Sequence, residues 1–236
     1  MDVYEAACAN VRELQTTRRT MDKMFNNALR NNAVEQINLL TKSYAQLYSA
    51  YAEASFLKLV YTPYVFIDTE RKKILSERNV ENKWKKILEL AFENLNNDSK
   101  GERANKELKL TRIYKEYVVL PSQIRNKIAH GQWKVALNED NTAINEDTTS
   151  RINDLDFVKI DYYFEIYTQF NQCIEDLLKS PKTHYRDYYP RIIELEEYIE
   201  KHSTWTVETR KTRLINSSKY AGYVRMHSNN TPKTTP

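Results

Sequence analysis

The chain has 236 residues, of which 41% are hydrophobic and 29% charged, and its net charge is +4, a composition typical of a folded globular protein. No apolar run approaches the roughly 20 residues that a membrane-spanning helix needs, and 2 Cys are too few for a disulfide framework. With only 3 Gly, the glycine-rich phosphate-binding loops of nucleotide-binding folds are also excluded.

The first half of the chain carries the spacing of amphipathic helices. Apolar residues recur at loosely helical intervals over 2–29 and at clear steps of three and four over 33–60. The same spacing predicts a third helix over 80–95 and a fourth over 102–118. These patterns indicate an all-α protein.

Residues 120–131 are predicted to form a short helix with a start and a stop signal of its own. Pro121 suits the first position of a helix, and Gly131 suits the position just past the end. His130 then lies in the last turn.

The segments that follow predict a small β-hairpin and two more helices. Residues 134–137 and 142–145 resemble two short strands around a polar turn, and a polar loop follows over 146–154. Helical spacing returns over 155–179 and again over 188–201.

Two units are predicted: a helical domain over 1–203 and a basic, flexible tail over 204–236. In the tail, six basic side chains stand against Glu208 alone. Such a run is typical of disorder, although it also suits binding to a phosphate backbone.

The strongest chemical signature is the cluster of Arg125, Asn126 and His130. Because each helical residue advances about 100°, Asn126 and His130 share one face, roughly opposite Ile124 and Ile128. The long side chain of Arg125 lies between and is able to reach toward the histidine. The predicted helix therefore points three polar groups away from its apolar side.

These residue types suit the cleavage of RNA without a metal ion. The reaction needs a base for the 2′-hydroxyl, an acid for the leaving 5′-oxygen and a cation for the phosphate. His130 suits either proton role near neutral pH, and Arg125 offers a permanent charge to phosphate oxygens. One chain has a single such pair, whereas a twofold dimer places two pairs around one phosphate.

This cluster, with the apolar residues before it and Gly131–Gln132–Trp133 after it, resembles the motif of the HEPN (higher eukaryotes and prokaryotes nucleotide-binding) superfamily. That motif consists of an arginine followed by a polar residue, three further residues and a histidine. The resemblance covers most of residues 1–201. It implies an HEPN-like helical bundle that dimerises through the motif helices, with Arg125 and His130 as the catalytic pair and Asn126 positioning them.

By the same resemblance, the expected activity is that of a homodimeric endoribonuclease that cuts tRNA or mRNA in phage defence or growth control. Some antitoxin-paired HEPN toxins carry a tyrosine two residues after the histidine, where this chain has Gln132, which argues against modification of that residue. We expect a cytoplasmic protein without a secretory signal, without a cofactor and without a metal site. An antitoxin or a defence-system protein is an expected partner.

Two other functional classes stay open on the sequence alone. The first is a non-catalytic HEPN module that binds RNA, a nucleotide or a protein through the Arg125 and His130 face. The second is a helical antitoxin or scaffold. Individually, Trp133 and the aromatic and basic segment 183–190 are better explained by packing than by contact with RNA, and His184, His202 and His227 have no partner at metal-ligand spacing.

Overall fold

The computed structural model describes residues 1–93, 95, 100–179 and 181–217, and the part it describes is predominantly α-helical. The helices are α1 (Val3–Arg30), α2 (Val34–Val60), α3 (Asp68–Ser76), α4 (Val80–Glu93), α5 (Lys100–Tyr114), α6 (Leu120–Ala129), α7 (Glu146–Asn153), α8 (Phe157–Lys179), α9 (Tyr185–His202) and α10 (Val207–Asn216). A π-helical turn, Lys115–Val119, joins α5 to α6. The all-α prediction is confirmed.

Helices α1, α2 and α8 form the centre of the core. The Phe157 ring, at the start of α8, is stacked between Phe25 of α1 and Tyr44 of α2, with centroid distances of 3.9 Å on both sides. All three side chains are fully buried. Burial of an aromatic side chain of this size contributes about 1.5–3 kcal/mol, so this stack is a principal contact between the three helices.

A polar network joins the same three helices beside the aromatic stack. Asp161 of α8 accepts hydrogen bonds from Arg18 Nη2 at 2.8 Å and from the Tyr44 hydroxyl at 2.7 Å. Burial raises the pKa of Tyr44, and the Asp161 carboxylate raises it further. Tyr44 therefore stays neutral as a donor, and the network sets the register of α1 and α2 against α8.

Helix α6 is the end of a longer helical run that begins at Lys100. The predicted short helix is present as α6, with Pro121 in its first turn and its end before Gly131, but it is continuous with the run before it. Proline has no N–H and cannot bond the carbonyl four residues earlier, that of Tyr117. The Tyr48 hydroxyl of α2 donates to that Tyr117 oxygen at 2.5 Å, and the π-helical turn absorbs the irregularity, so the helix continues past Pro121.

The predicted hairpin is reduced to a single antiparallel bridge. Leu137 pairs with Ile144, and Asn138 and Asn145 each donate a backbone N–H to the opposite side at 2.8 Å. Neither side extends into a strand. In the turn, the Asn138 side chain accepts the backbone N–H of Thr142 at 2.8 Å, which favours a compact loop over longer pairing.

Within the predicted domain, two short helices were not predicted from the sequence, and one of them, α7, occupies the predicted loop over 146–154. Helix α7 begins where the Asn145 side chain accepts the N–H of Thr148 at 2.9 Å. Helix α3 begins where the Glu70 carboxylate accepts the N–H of Ile67, also at 2.9 Å. Each helix buries a single residue, Ile152 in α7 and Ile74 in α3, which is too little for a periodic signal.

The beginning of the predicted flexible tail is a helix packed on the domain. In α10, the Arg210 guanidinium pairs with Asp22, and its Nε donates to Asn26 of α1 at 3.0 Å. The same guanidinium lies over the Phe25 ring, 5.5 Å from its centroid. The prediction of a flexible tail from residue 204 is therefore wrong for 207–216, and the predicted tail beyond 217 lies outside the described residues.

No helix in the described part of the chain combines the length and the apolar character that a bilayer crossing requires.

Candidate functional site

Helix α6 buries one side and presents the other to solvent. Ile124 and Ile128 are buried in the core, as the sequence predicted. Gln123, Asn126 and His130 are exposed on the opposite side. The apolar residues therefore hold the helix so that Asn126 and His130 face outward, one turn apart.

The backbone after α6 holds His130 in a defined position. Gly131 has φ +80, a left-handed conformation, and its N–H bonds the Ile128 oxygen at 3.1 Å, while the N–H of Gln132 bonds the Lys127 oxygen at 2.9 Å. This pair of bonds is the Schellman motif, which ends a helix at the residue before the glycine. His130 is thus the C-cap of α6, at the negative end of the helix dipole.

The loop after Gly131 is fastened to α6 by side chains. Lys127 Nζ donates to the Leu137 oxygen at 2.7 Å, and the Gln132 side chain accepts the N–H of Leu137 at 2.8 Å. Trp133 Nε1 donates to the Ile128 oxygen at 3.0 Å, although the ring is 42% exposed. These contacts support the interpretation of Trp133 as a packing residue and place the loop beside His130.

An open concavity lies between α6 and this loop. Asn126 and His130 line it, together with Lys127, Gln132 and Asn141. Apart from the single carboxylate of Glu139, the groups that line it are neutral or basic. The sequence predicted the first two residues; the others became visible only through the loop contacts, because nothing in their spacing indicates that 137–141 folds back onto α6.

Arg125 does not lie in this concavity. Its side chain lines a separate cavity between α2, α4 and α6, and its buried Nε has no hydrogen-bond partner among the described residues. No contact between Arg125 and His130 is found in the described part of the chain. The structure therefore brings Asn126 and His130 together and directs Arg125 elsewhere, because position 125 is rotated by about 100° from position 126 toward α2.

The other histidines considered in the sequence analysis form hydrogen bonds within the fold where the structure describes them. His184 is fully buried, with Nδ1 donating to the Pro181 oxygen at 2.8 Å and Nε2 2.8 Å from Lys106 Nζ. His202 Nδ1 donates to the Tyr198 oxygen at 2.9 Å. His227 lies outside the described residues.

The aromatic and basic segment over 183–190 contributes to packing. Tyr188 is fully buried, and Lys106 Nζ lies 4.8 and 4.9 Å from the ring centroids of Tyr185 and Tyr189. Such short cation–π contacts stabilise a lysine inside the protein. This supports the interpretation of the segment as packing.

In the described ranges, no three His, Cys, Asp or Glu side chains lie close enough together to hold a metal ion. Comparison of the chain with protein-family models, with curated proteins and with solved structures finds no match in any of the three.

Proposed function

We propose that the protein is a metal-independent endoribonuclease of the HEPN type, with an HEPN-like helical bundle, that acts as a homodimer with a composite Arg and His site. The observation that carries the proposal is the position of His130. It is exposed at the capped end of a buried helix, with Asn126 one turn earlier in the same open concavity. A histidine held there is reachable by a phosphodiester.

The chemistry needs only groups that this site offers in duplicate. One His130 removes the proton from a 2′-hydroxyl, and the oxygen attacks the adjacent phosphorus. The bond to the 5′-oxygen breaks, and the partner's His130 protonates that oxygen. The products are a 2′,3′-cyclic phosphate and a 5′-hydroxyl end, with an arginine guanidinium stabilising the charge on the phosphate.

The proposed reaction needs a dimer, because a single chain does not bring the pair together. Arg125 and His130 line different cavities of the same chain. In the proposed dimer, two copies of α6 pack around a twofold axis, and each Arg125 side chain turns out of its cavity toward the histidine of the other copy, since a twofold interface duplicates every group. The exposed face of α6 carries the small side chain of Ala129, which permits a close approach of two helices.

Exposed apolar residues on the neighbouring loop also support self-association. Trp133 and Val135 are each 42% exposed, and Ile144 is 55% exposed. All three belong to the loop that contacts α6. Apolar side chains grouped beside a polar site are typical of protein interfaces, so we place the dimer interface on this side.

The test is cleavage of a fluorescent RNA in the presence of a chelator. His130→Ala and Arg125→Ala are each expected to lower the rate by a factor of about 10²–10⁴, the usual contribution of acid–base and charge-stabilising groups. His202→Gln and Arg112→Gln serve as matched controls and retain the rate. A 2′,3′-cyclic phosphate at the cut identifies the reaction, and equal rates in all five proteins would remove His130 and Arg125 from it.

A second candidate is a non-catalytic module that binds RNA, a nucleotide or a protein through the same face. The separation of Arg125 from His130 favours it. In that case RNA stays intact in the cleavage assay while a binding assay detects a complex that His130→Ala weakens.

In the cell, the proposed nuclease cuts tRNA or mRNA in the cytoplasm, in phage defence or in toxin–antitoxin growth control. An antitoxin or a defence-system protein is the proposed partner. Expression of the wild type beside His130→Ala, with growth and RNA integrity as readouts, tests it. Equal growth and intact RNA in both strains would contradict this role.

A further inference from the structure

A cavity of about 120 Å³ lies between α2, α4 and α6, away from the concavity that contains His130. Aromatic and aliphatic side chains form its walls, chiefly Tyr48, Phe56, Trp84 and Val118. All four are buried, and Phe56 and Trp84 meet edge to face with a centroid distance of 5.3 Å. This part of the wall is therefore buried and apolar.

The volume of this cavity is slightly below that of a protein cavity known to hold one six-membered ring. An apolar protein cavity of about 150 Å³ is large enough to take up benzene. A ring entering here contacts the faces or edges of two aromatic side chains, which prefer such tilted or offset arrangements.

The cavity also carries an unbalanced positive charge. Arg125 and Lys83 line it, against the single carboxylate of Glu53. Among the described residues neither cation forms an ion pair, and the buried Nε–H of Arg125 lacks an acceptor. A buried donor on a charged group without an acceptor is costly, so an acceptor that enters the cavity is favoured.

From these observations we infer that the cavity binds a small aromatic carboxylate, with its ring against Phe56 and Trp84 and its carboxylate on Arg125. A carboxylate matches the planar guanidinium, which donates two parallel hydrogen bonds to it. A monoanion also balances the single excess charge. This inference does not depend on RNA cleavage, but it uses the same Arg125 that the proposed nuclease uses.

Benzoate is the probe, and the three tryptophans provide an internal comparison. Titration of ¹⁵N-labelled full-length protein is followed through the indole N–H resonances. The resonance of Trp84 is expected to shift and to saturate, whereas those of Trp133 and Trp205, which do not line the cavity, stay in place. Benzyl alcohol has the same ring without the charge and binds at least about tenfold more weakly, because it lacks the charge-assisted bonds.

Two variants and one control test the location. Arg125→Gln removes the charge and weakens benzoate binding at least about tenfold, and Ala52→Phe fills the cavity and abolishes binding. Arg112→Gln removes an arginine whose side chain is 64% exposed and leaves the affinity unchanged. Far-UV circular dichroism shows whether each variant is folded. If Ala52→Phe is unfolded, the location of the site is tested by Arg125→Gln alone.

Several results would overturn the inference. They are an absence of any saturable Trp84 shift at millimolar benzoate, equal shifts at all three tryptophans, equal affinity for benzyl alcohol, and wild-type affinity in Arg125→Gln. The first shows that the cavity does not bind this class of ligand, and the others show that the anion is bound elsewhere or not recognised by Arg125.

Discussion

The hydroxyl of Tyr48 on α2 donates a hydrogen bond of 2.5 Å to the backbone oxygen of Tyr117, four residues before Pro121. Tyr117 lies in the π-helical turn, and its carbonyl is the one that Pro121 cannot bond. Because the bond is buried, loss of the hydroxyl removes a hydrogen bond that water does not replace. Tyr48 therefore holds together the helical run that carries the candidate site.

Tyr48→Phe is expected to lower the free energy of unfolding by about 1–2 kcal/mol, the contribution of a buried hydrogen bond. Urea denaturation followed by circular dichroism measures it. Tyr64→Phe is the matched control, because Tyr64 is fully exposed, and it leaves stability unchanged. Equal stability of the two variants would show that the Tyr48 bond contributes nothing.

Gly131→Ala is expected to destabilise the protein by about 1–2 kcal/mol, since φ +80 places an L side chain in the left-handed region. The cause is backbone strain alone, because a Cβ at this position meets no atom within 4 Å. Gly101→Ala, in the first turn of α5, has equally open surroundings and no positive φ, so it leaves stability unchanged or raises it. Thermal unfolding of both variants compares them, and a loss of stability only at Gly101 would contradict the assignment.

Stability is expected to fall in alkaline solution because of the buried tyrosines. Burial raises the pKa of Tyr163 to about 12, above the value of about 10 for an unfolded chain. The unfolded state therefore loses its proton first, so the stabilisation is complete below pH of about 10 and is lost as the pH rises toward 12. At pH 11 the contribution of Tyr163 to this loss is about 1 kcal/mol.

Urea titrations of the wild type and Tyr163→Phe at pH 8 and 11 measure that difference. The variant loses less stability on going to pH 11, because one alkaline titration is removed. Tyr64→Phe again serves as the control and follows the wild type. A larger alkaline loss in Tyr163→Phe would contradict the raised pKa.

Ala129→Arg is expected to weaken the proposed dimer at least about tenfold, because a long charged side chain prevents the close approach of two α6 helices. Ala129 is exposed in the single chain, so folding is retained. Leu108→Arg changes an exposed residue of α5 and leaves association unchanged. Analytical ultracentrifugation over a concentration series measures the effect, and an unaltered dimer would place the interface elsewhere.

Local pattern was enough to predict the long helices. The spacing over 33–60 and 155–179 corresponds to α2 and α8, because each buries one broad apolar side over several turns. The stop at Gly131 was also predictable, since only a residue tolerant of positive φ suits that position. Asn126 and His130 share a face for the same reason, the fixed rotation of a helix.

Contacts between residues distant in sequence decided the features that local pattern did not predict. Pro121 indicates a helix start in the sequence, whereas in the structure the helical run continues through it, and the Tyr48 hydroxyl, 69 positions from Tyr117, bonds the Tyr117 oxygen. The sequence around Arg210 is typical of a polar tail, yet Arg210 pairs with Asp22, 188 positions away, and this contact holds α10 against α1. Helical periodicity shows which side of its own helix a residue lies on, but packing decides which residues of other helices face that side. For this reason Arg125 was predicted beside His130, whereas in the structure it lies in a cavity with Trp84.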